Sequence, residues 1–422
     1  MRWCTISVTV GLTLVGTGQF AQSAERFRRL PVREYVDRMK AGWIGQMVGV
    51  SWGAPTEGKF KTIIPAEKVP PFSEDLVNQA FGQDDLYVEM TFLRTLEQYG
   101  FDVSIRQAGI DFANSEYRLW VANAAGRSNL RKGIAPPDSS HPKFHDCAGA
   151  IDYQIEADYS GLIAPGMFDL PIALGEKFGR LMNYGDGVYA GQFWGCMYAE
   201  AFFEKNIGRL IQRALACIPA QSMYAEMVRD VVRWHRENPK NWEKTWELVV
   251  EKYRKDKNYY VSRLDVKQEG AFALMGLLYG NGDPDQTIII SMRCGSDSDC
   301  NPSTAAGVLF TSIGLSKLPP RFYSKLDESK RFSYTAYDFP GLVAVCQKLA
   351  RQAVLRAGGR IETRRDQEIL VIPAREPTPS KFEDIKNPGP IAGSLFSEEE
   401  KAQIKVQDAP RPPRPPRPPA AK

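Results

Sequence analysis

Gln83-Asp84-Asp85-Leu86-Tyr87-Val88-Glu89-Met90-Thr91-Phe92-Leu93-Arg94-Thr95-Leu96-Glu97-Gln98-Tyr99 is the stretch that decides the fold. Two apolar rows recur in it at helical spacing, Leu86/Met90/Leu93 and Phe92/Leu96/Tyr99, which predicts a largely buried helix. Its mouth carries Asp84 and Asp85, and acids there are favoured by the partial positive charge of a helix N-terminus. More than two hundred residues later a second acidic cluster, Asp297-Ser298-Asp299, leads into Asn301-Pro302 and the small apolar run Ala305-Ala306-Gly307-Val308-Leu309-Phe310. Asn301 is expected as the N-cap and Pro302 as the first helical residue. A lone Asp at a helix start is ordinarily a capping group. Four of them in two such loops, if the fold joins the loops, make a divalent metal site.

Hard oxygen ligands without supporting histidine point to Mg²⁺, Mn²⁺ or Ca²⁺ rather than Zn²⁺. The three histidines, His141, His145 and His235, are scattered, and no cysteines show zinc-knuckle spacing. Cys294 and Cys300 bracket the second cluster and read as packing residues or as groups supporting the ligands, with a disulfide or a thiolate ligand as the lesser alternatives.

The rest of the chain carries further helical stripes: Trp43/Met47/Val50, Trp194/Met197/Ala201, Tyr224/Met227/Val228/Val231, Trp242/Trp246/Val249/Tyr253 and Ala271/Leu274/Met275/Leu278. Strand signals are few. One short hairpin is expected late, from Arg360–Thr363 and Ile369–Ile372 around the turn Arg364-Arg365-Asp366-Gln367. The fold class is therefore mainly α, an irregular bundle whose helix ends converge on a cleft. Between Asp152 and Gly161 three acids, Asp152, Glu156 and Asp158, alternate with apolar groups, a pattern open to strand, helix or loop. Asn183-Tyr184-Gly185-Asp186-Gly187-Val188-Tyr189 mixes glycines with polar and aromatic groups. Asp152, Glu156, Asp158, Asp186 and Tyr189 are candidate sugar-binding residues, since carboxylates accept hydroxyl hydrogen bonds and aromatic faces cover sugar rings.

Residues 1–24 have a signal-peptide pattern, with Arg2, the mostly apolar Val8 to Val15 and small residues near Ala24. An exported protein, periplasmic or extracellular, is expected, with no membrane span. Residues 25–375 are expected to form a single domain. From 376 to 422 prolines, a Glu398-Glu399-Glu400 run and the repeat Arg411 to Pro419 predict an extended, solvated tail, a disordered spacer or a docking point for a partner. A net charge of +4 on 422 residues, with no basic stripe, argues against nucleic acid as a partner. Beyond the signal segment six cysteines, at 147, 196, 217, 294, 300 and 346, are too sparse for a disulfide scaffold.

Gly49-Val50-Ser51-Trp52-Gly53-Ala54-Pro55-Thr56-Glu57-Gly58, the Asp84-Asp85 pair, the Asp158 to Gly166 region and Cys294-Gly295-Ser296-Asp297-Ser298-Asp299-Cys300-Asn301 resemble, in this order, the ADP-ribosylglycohydrolase family over roughly residues 33 to 320. The resemblance implies an all-α orthogonal bundle holding two divalent metals, Mg²⁺ or Mn²⁺, at the bottom of a cleft. By position, Asp84, Asp85, Asp297 and Asp299 look like ligands, and Glu57 resembles a glutamate that gates or binds substrate. The implied reaction is hydrolysis of a glycosidic bond at the anomeric carbon of a ribose. Asp85 is the first candidate for the base and Glu57 the second.

The chain departs from the family pattern in three places. Gln83 replaces a threonine before the first pair, Cys300 a threonine after the second, and Val50 stands where an aspartate is frequent. Because thiols are poor Mg²⁺ ligands, Cys300 is expected not to stand in for the lost hydroxyl. A metal-dependent hydrolase of N- or O-glycosidic bonds is the leading expectation, with a small-molecule or glycan substrate that carries a sugar. An exported glycosidase for glycans or nucleosides, a binding module without catalysis, and a partner-binding protein using the proline-arginine tail are the alternatives.

Overall fold

The helix expected around Trp43, Met47 and Val50 runs from Val32 to Gly53 and is buried on nearly every side after its first turn. It can be so deep because one face is bare. Gly45, Gly49 and Gly53 lie against the backbone of the helix Cys300–Ile313 and the loop before it. A Cβ would stand 2.5 Å from the Ala306 carbonyl oxygen at Gly45, 2.6 Å from Ser303 Cα at Gly49 and 2.5 Å from Asp299 Cα at Gly53. Real Cβ atoms essentially never come that close, so the two helices touch backbone to backbone.

These contacts are seen in a computed structural model, which describes residues 1, 27–254 and 264–406. The signal-like segment over 2–24 and the repeat at 411–419 lie outside the described residues. Among the described residues sixteen α-helices and one three-stranded sheet form a mainly α molecule. The expected stripes fall on Asp186–Ala201, Met223–Glu237, Trp242–Val249 and Val266–Gly280, and the opening stretch on Asp84–Tyr99. Gly100 stops that last helix at φ 76°. The ambiguous Asp152–Gly161 stretch is helical, as Asp152–Ile155 and Asp158–Leu162. None of the six described cysteines is in a disulfide. No described helix is long and apolar enough to cross a membrane.

The late hairpin is present as β2 (Arg360–Arg364) and β3 (Gln367–Pro373). Arg365 and Asp366 both have positive φ, 47° and 61°, the backbone twist a two-residue hairpin loop requires. A third strand, β1 (Phe27–Pro31), completes the antiparallel order β1-β3-β2 by pairing Phe27 with Pro373 and Leu30 with Leu370. Leu30, Leu370 and Ile372 turn the inner face of the sheet into the core.

Residues 376–406 are extended and mostly exposed, as expected of a solvated tail, but they are docked on the body. With one short helix at Glu398–Lys401, they run along it as a strap. Ile385 and Phe396 are buried. Tyr189 donates its hydroxyl to the Lys381 carbonyl at 2.8 Å and accepts from the Glu383 N–H at 2.7 Å. Asp138 accepts from the N–H groups of Ala392 and Ser394 at 2.9 and 2.7 Å, and Arg180 pairs with Glu383 at 2.8 Å. Composition suggested disorder because apolar residues are rare here, but a few well-placed anchors are enough to hold a segment whose backbone finds partners on the body.

Two outcomes test this packing. Gly49→Ala should cost about 1–3 kcal/mol in urea denaturation because backbone cannot yield, whereas Gly82→Ala, whose added Cβ would meet nothing nearer than Ser333 Oγ at 4.0 Å, should stay within about 0.5 kcal/mol. Phe396→Ala should weaken the strap by about 3 kcal/mol, read as faster hydrogen exchange across 376–406. Unchanged exchange would show that the polar contacts alone hold it.

Candidate metal centre

Asp84 and Asp85 occupy the first turn of Asp84–Tyr99, where Gln83 holds the N-cap position without a side-chain capping bond. The second cluster lies on a tight reversal after the helix Pro284–Arg293. Gly295 and Ser296 take φ of 76° and 63° there. The following helix begins at Cys300, so Asn301, expected as its cap, sits inside the first turn. Its side chain is already engaged, donating to Glu269 at 2.8 Å. The capping position falls to Asp299, whose carbonyl accepts the Ser303 N–H at 3.1 Å.

Glu269, fully buried on the helix Val266–Gly280, organises this loop: it also accepts from the Ser296 hydroxyl at 2.6 Å and from Gln268 at 2.8 Å. The loop after Gly53 is laced to it. Thr56 and Ser298 share a hydroxyl bond of 2.8 Å, the Ser296 N–H reaches the Phe60 carbonyl at 2.9 Å, and the Gly58 N–H reaches Ser296 O at 3.2 Å. Glu57 is thereby held at the exposed rim, while Asp85, Asp297 and Asp299 are buried and Asp84 is half-buried.

The two clusters act on each other electrostatically. Burial raises the Asp85 carboxyl well above its ordinary value, and Asp84 and Asp299 raise it further. Burial pushes Asp299 up to about 8, helped by Glu57 and Asp84. Asp297 is raised by burial, then by Asp299 and Glu269, and Glu57 by burial and Asp84. The charges that act most on this group are other carboxylates. Both carboxylate oxygens of Asp85 and Oδ2 of Asp297 are buried without a hydrogen-bond partner. Buried like charges need protons or a cation, and unpartnered oxygens at the meeting point fit a divalent cation. One ligand atom each from Asp297, Asp299 and Cys300 lies within 4.8 Å of the others.

A second layer of acids stands behind. Glu89, one turn after Asp85, accepts the Tyr159 N–H at 2.8 Å. Asp158 accepts the Tyr198 hydroxyl at 2.7 Å, and Glu156 is held by the Asn123 amide. Burial raises all three well above the usual carboxylate range. Asp152 caps the helix Val121–Arg131 by accepting from the N–H groups of Ala122 and Asn123 at 3.2 and 2.9 Å; burial lifts it to about 7, with Asp84 adding. Asp186 and Tyr189 face elsewhere. The Asp186 carboxylate accepts the Tyr224 N–H at 2.9 Å and faces Lys267, and Tyr189 anchors the strap. Both are structural groups whose glycine-rich setting imitates a sugar-binding loop.

At the rim next to Asp84, Tyr87 packs against Tyr117 and Tyr334 with centroids 4.8 and 5.3 Å apart. Tyr334 is 66% exposed and Trp120 48%, the latter under the Arg118 guanidinium at 3.7 Å. Tyr334 is the exposed ring of its cluster, over the buried Tyr87 and Tyr117.

The sequence reading missed Glu89, Glu269 and the placement of Cys300. An acid four residues after Asp85 on an otherwise apolar helix face was the signal for Glu89. Val266–Gly280 is apolar nearly all round, so its few polar groups had to be satisfied inside. Nothing in the sequence showed that Cys300 points at the two aspartates.

Comparison with known proteins agrees with this fold. A search of curated proteins gives no match. Among solved structures, a chain described as an ADP-ribosylglycohydrolase-related protein complex superposes with a TM-score of 0.51 at 15% identity, over 76% of this chain and 99% of that one, a likeness of fold. The sequence model of the ADP-ribosylglycohydrolase family matches residues 31–358, which take in both acidic loops and the glycine-faced helix that joins them. By that span, the chain belongs to the ADP-ribosylglycohydrolase family.

Proposed function

We propose that this chain is a metal-dependent hydrolase that cleaves a glycosidic bond at the anomeric carbon of a ribose-like sugar. The observation that carries the reading is the mutual electrostatic influence of Asp84, Asp85, Asp297 and Asp299, with buried, unpartnered oxygens on Asp85 and Asp297. These four carboxylates would hold the cation, Mg²⁺ or Mn²⁺ by hard-donor preference and two ions on the family's pattern, and such an ion supplies Lewis acidity and an acidified water.

The protein's own groups divide the remaining work. Asp85, with both oxygens free of hydrogen bonds, is placed to take a proton from the attacking water. Glu57, at the exposed rim beside Asp84, meets the sugar hydroxyls or serves as the second candidate base. Departure of the leaving group makes the anomeric carbon oxocarbenium-like, and the surrounding carboxylates stabilise that charge. Tyr334, exposed and backed by the buried Tyr87 and Tyr117, offers an aromatic face near Asp84 for an apolar sugar face or a flat aglycone. With export expected, glycans and nucleosides join ADP-ribosyl compounds as substrates. Gln83 and Cys300 motivate a second reading, a metal- or sugar-binding module that binds without turnover.

Two measurements separate these readings. Asp85→Asn should lose both bound metal and turnover, the latter by on the order of 10²–10⁴-fold, while Glu57→Gln should retain metal and lose turnover alone; elemental mass spectrometry and a glycoside screen read the two. Metal binding without turnover on any substrate would favour the module. The pH dependence follows from carboxyls whose folded values are raised. Such groups favour the folded state at low pH, and that contribution is lost as pH rises, for Asp299 between 3.8 and about 8. The metal-free protein should therefore melt at lower temperature as pH rises through that window. Saturating Mn²⁺ should reverse the trend, and Asp299→Asn should flatten it.

A further inference from the structure

Cys300 is the first residue of Cys300–Ile313, and its Sγ lies 3.7 Å from Oδ1 of Asp299. Sγ, one oxygen of Asp297 and one of Asp299 lie mutually within 4.8 Å, and all three side chains are buried. Three donors of that spacing surround a single point. Oδ2 of Asp297 is buried without a partner, so the group has a ligand position to fill. The other cysteine of the loop, Cys294, differs: its Sγ is turned back onto its own helix, donating to the Ile290 carbonyl at 3.3 Å.

We infer that Asp297, Asp299 and Cys300 form a mixed oxygen–sulfur metal position, with the Cys300 thiolate a direct ligand, selective for a borderline ion such as Zn²⁺ or Co²⁺ over Mg²⁺. A soft sulfur donor adds little affinity for Mg²⁺ and much for ions later in the first transition series. On binding, the thiol proton leaves to solvent and the sulfur lone pair bonds the metal. The pair Asp84 and Asp85 keeps oxygen donors only, so the centre has one hard side and one soft side. This inference rests on the metal-centre reading but not on the reaction proposed for it.

The test uses the full chain, stripped with chelator and loaded with Co²⁺ or Zn²⁺. With Co²⁺, a sulfur-to-metal charge-transfer band should appear in the near ultraviolet, persist in Cys294→Ser and vanish in Cys300→Ser. With Zn²⁺, X-ray absorption on the unaltered protein should show a zinc–sulfur distance of about 2.3 Å, a readout that does not depend on any variant folding. The preference for Zn²⁺ over Mg²⁺ in competition should narrow by at least about 10-fold in Cys300→Ser. Absence of both the band and the zinc–sulfur distance would overturn the inference and leave Cys300 a packing thiol. If the Mg²⁺-loaded chain then still hydrolysed glycosides, the proposed function would stand without this inference; if no metal bound at all, both would fall.

Discussion

The backbone contact between Val32–Gly53 and Cys300–Ile313 is the constraint on which the rest depends. Because Gly45, Gly49 and Gly53 leave no side chain between the helices, the two axes are as close as main chain allows. Gly53 is the end of its helix and Asp299 the start of the other, so the closest point of the pair is also the place where Glu57, Asp297 and Asp299 emerge. A side chain at Gly53 would move the loop that carries Asp297 and Asp299 as well as a core helix. Stability and site geometry are set by the same atoms.

That arrangement concentrates negative charge where water is scarce. The acids gain some compensation from main-chain and side-chain donors: Glu269 collects several, Asp152 caps a helix, and Asp158 accepts from Tyr198. Those acids are the supports. Asp85 has both oxygens, and Asp297 one, buried without a partner, and Glu89, Glu156 and Asp158 behind them each have one as well. Unpartnered carboxylate oxygens thus run from the candidate centre into the acids behind it.

How much of this was legible in the sequence depended on how local the cause was. Helical stripes such as Leu86/Met90/Leu93 report burial through a period, and the Arg365-Asp366 turn is written in the residues that flank it, so both were readable. The acidic pairs were readable as pairs because each opens a helix. The role of Asn301 was misjudged because its competitor, Glu269, is distant in sequence, and the same distance hid Glu269 itself. Asp186 and Tyr189 looked functional because glycines surrounded them, yet those residues serve a helix start and the strap. The strap was illegible for a related reason: Ile385 and Phe396 are single anchors, and no period announces them.

The sheet places a demand on the order of events during synthesis. β1 pairs only with β3, more than three hundred residues further along the chain. Until Gln367–Pro373 has left the ribosome, Phe27–Pro31 has no strand to join, and Leu30 has no inner face to complete. The strand that enters Val32–Gly53 therefore stays unpaired through most of translation. A nascent chain in that condition is late to close, because contacts of such long range form last.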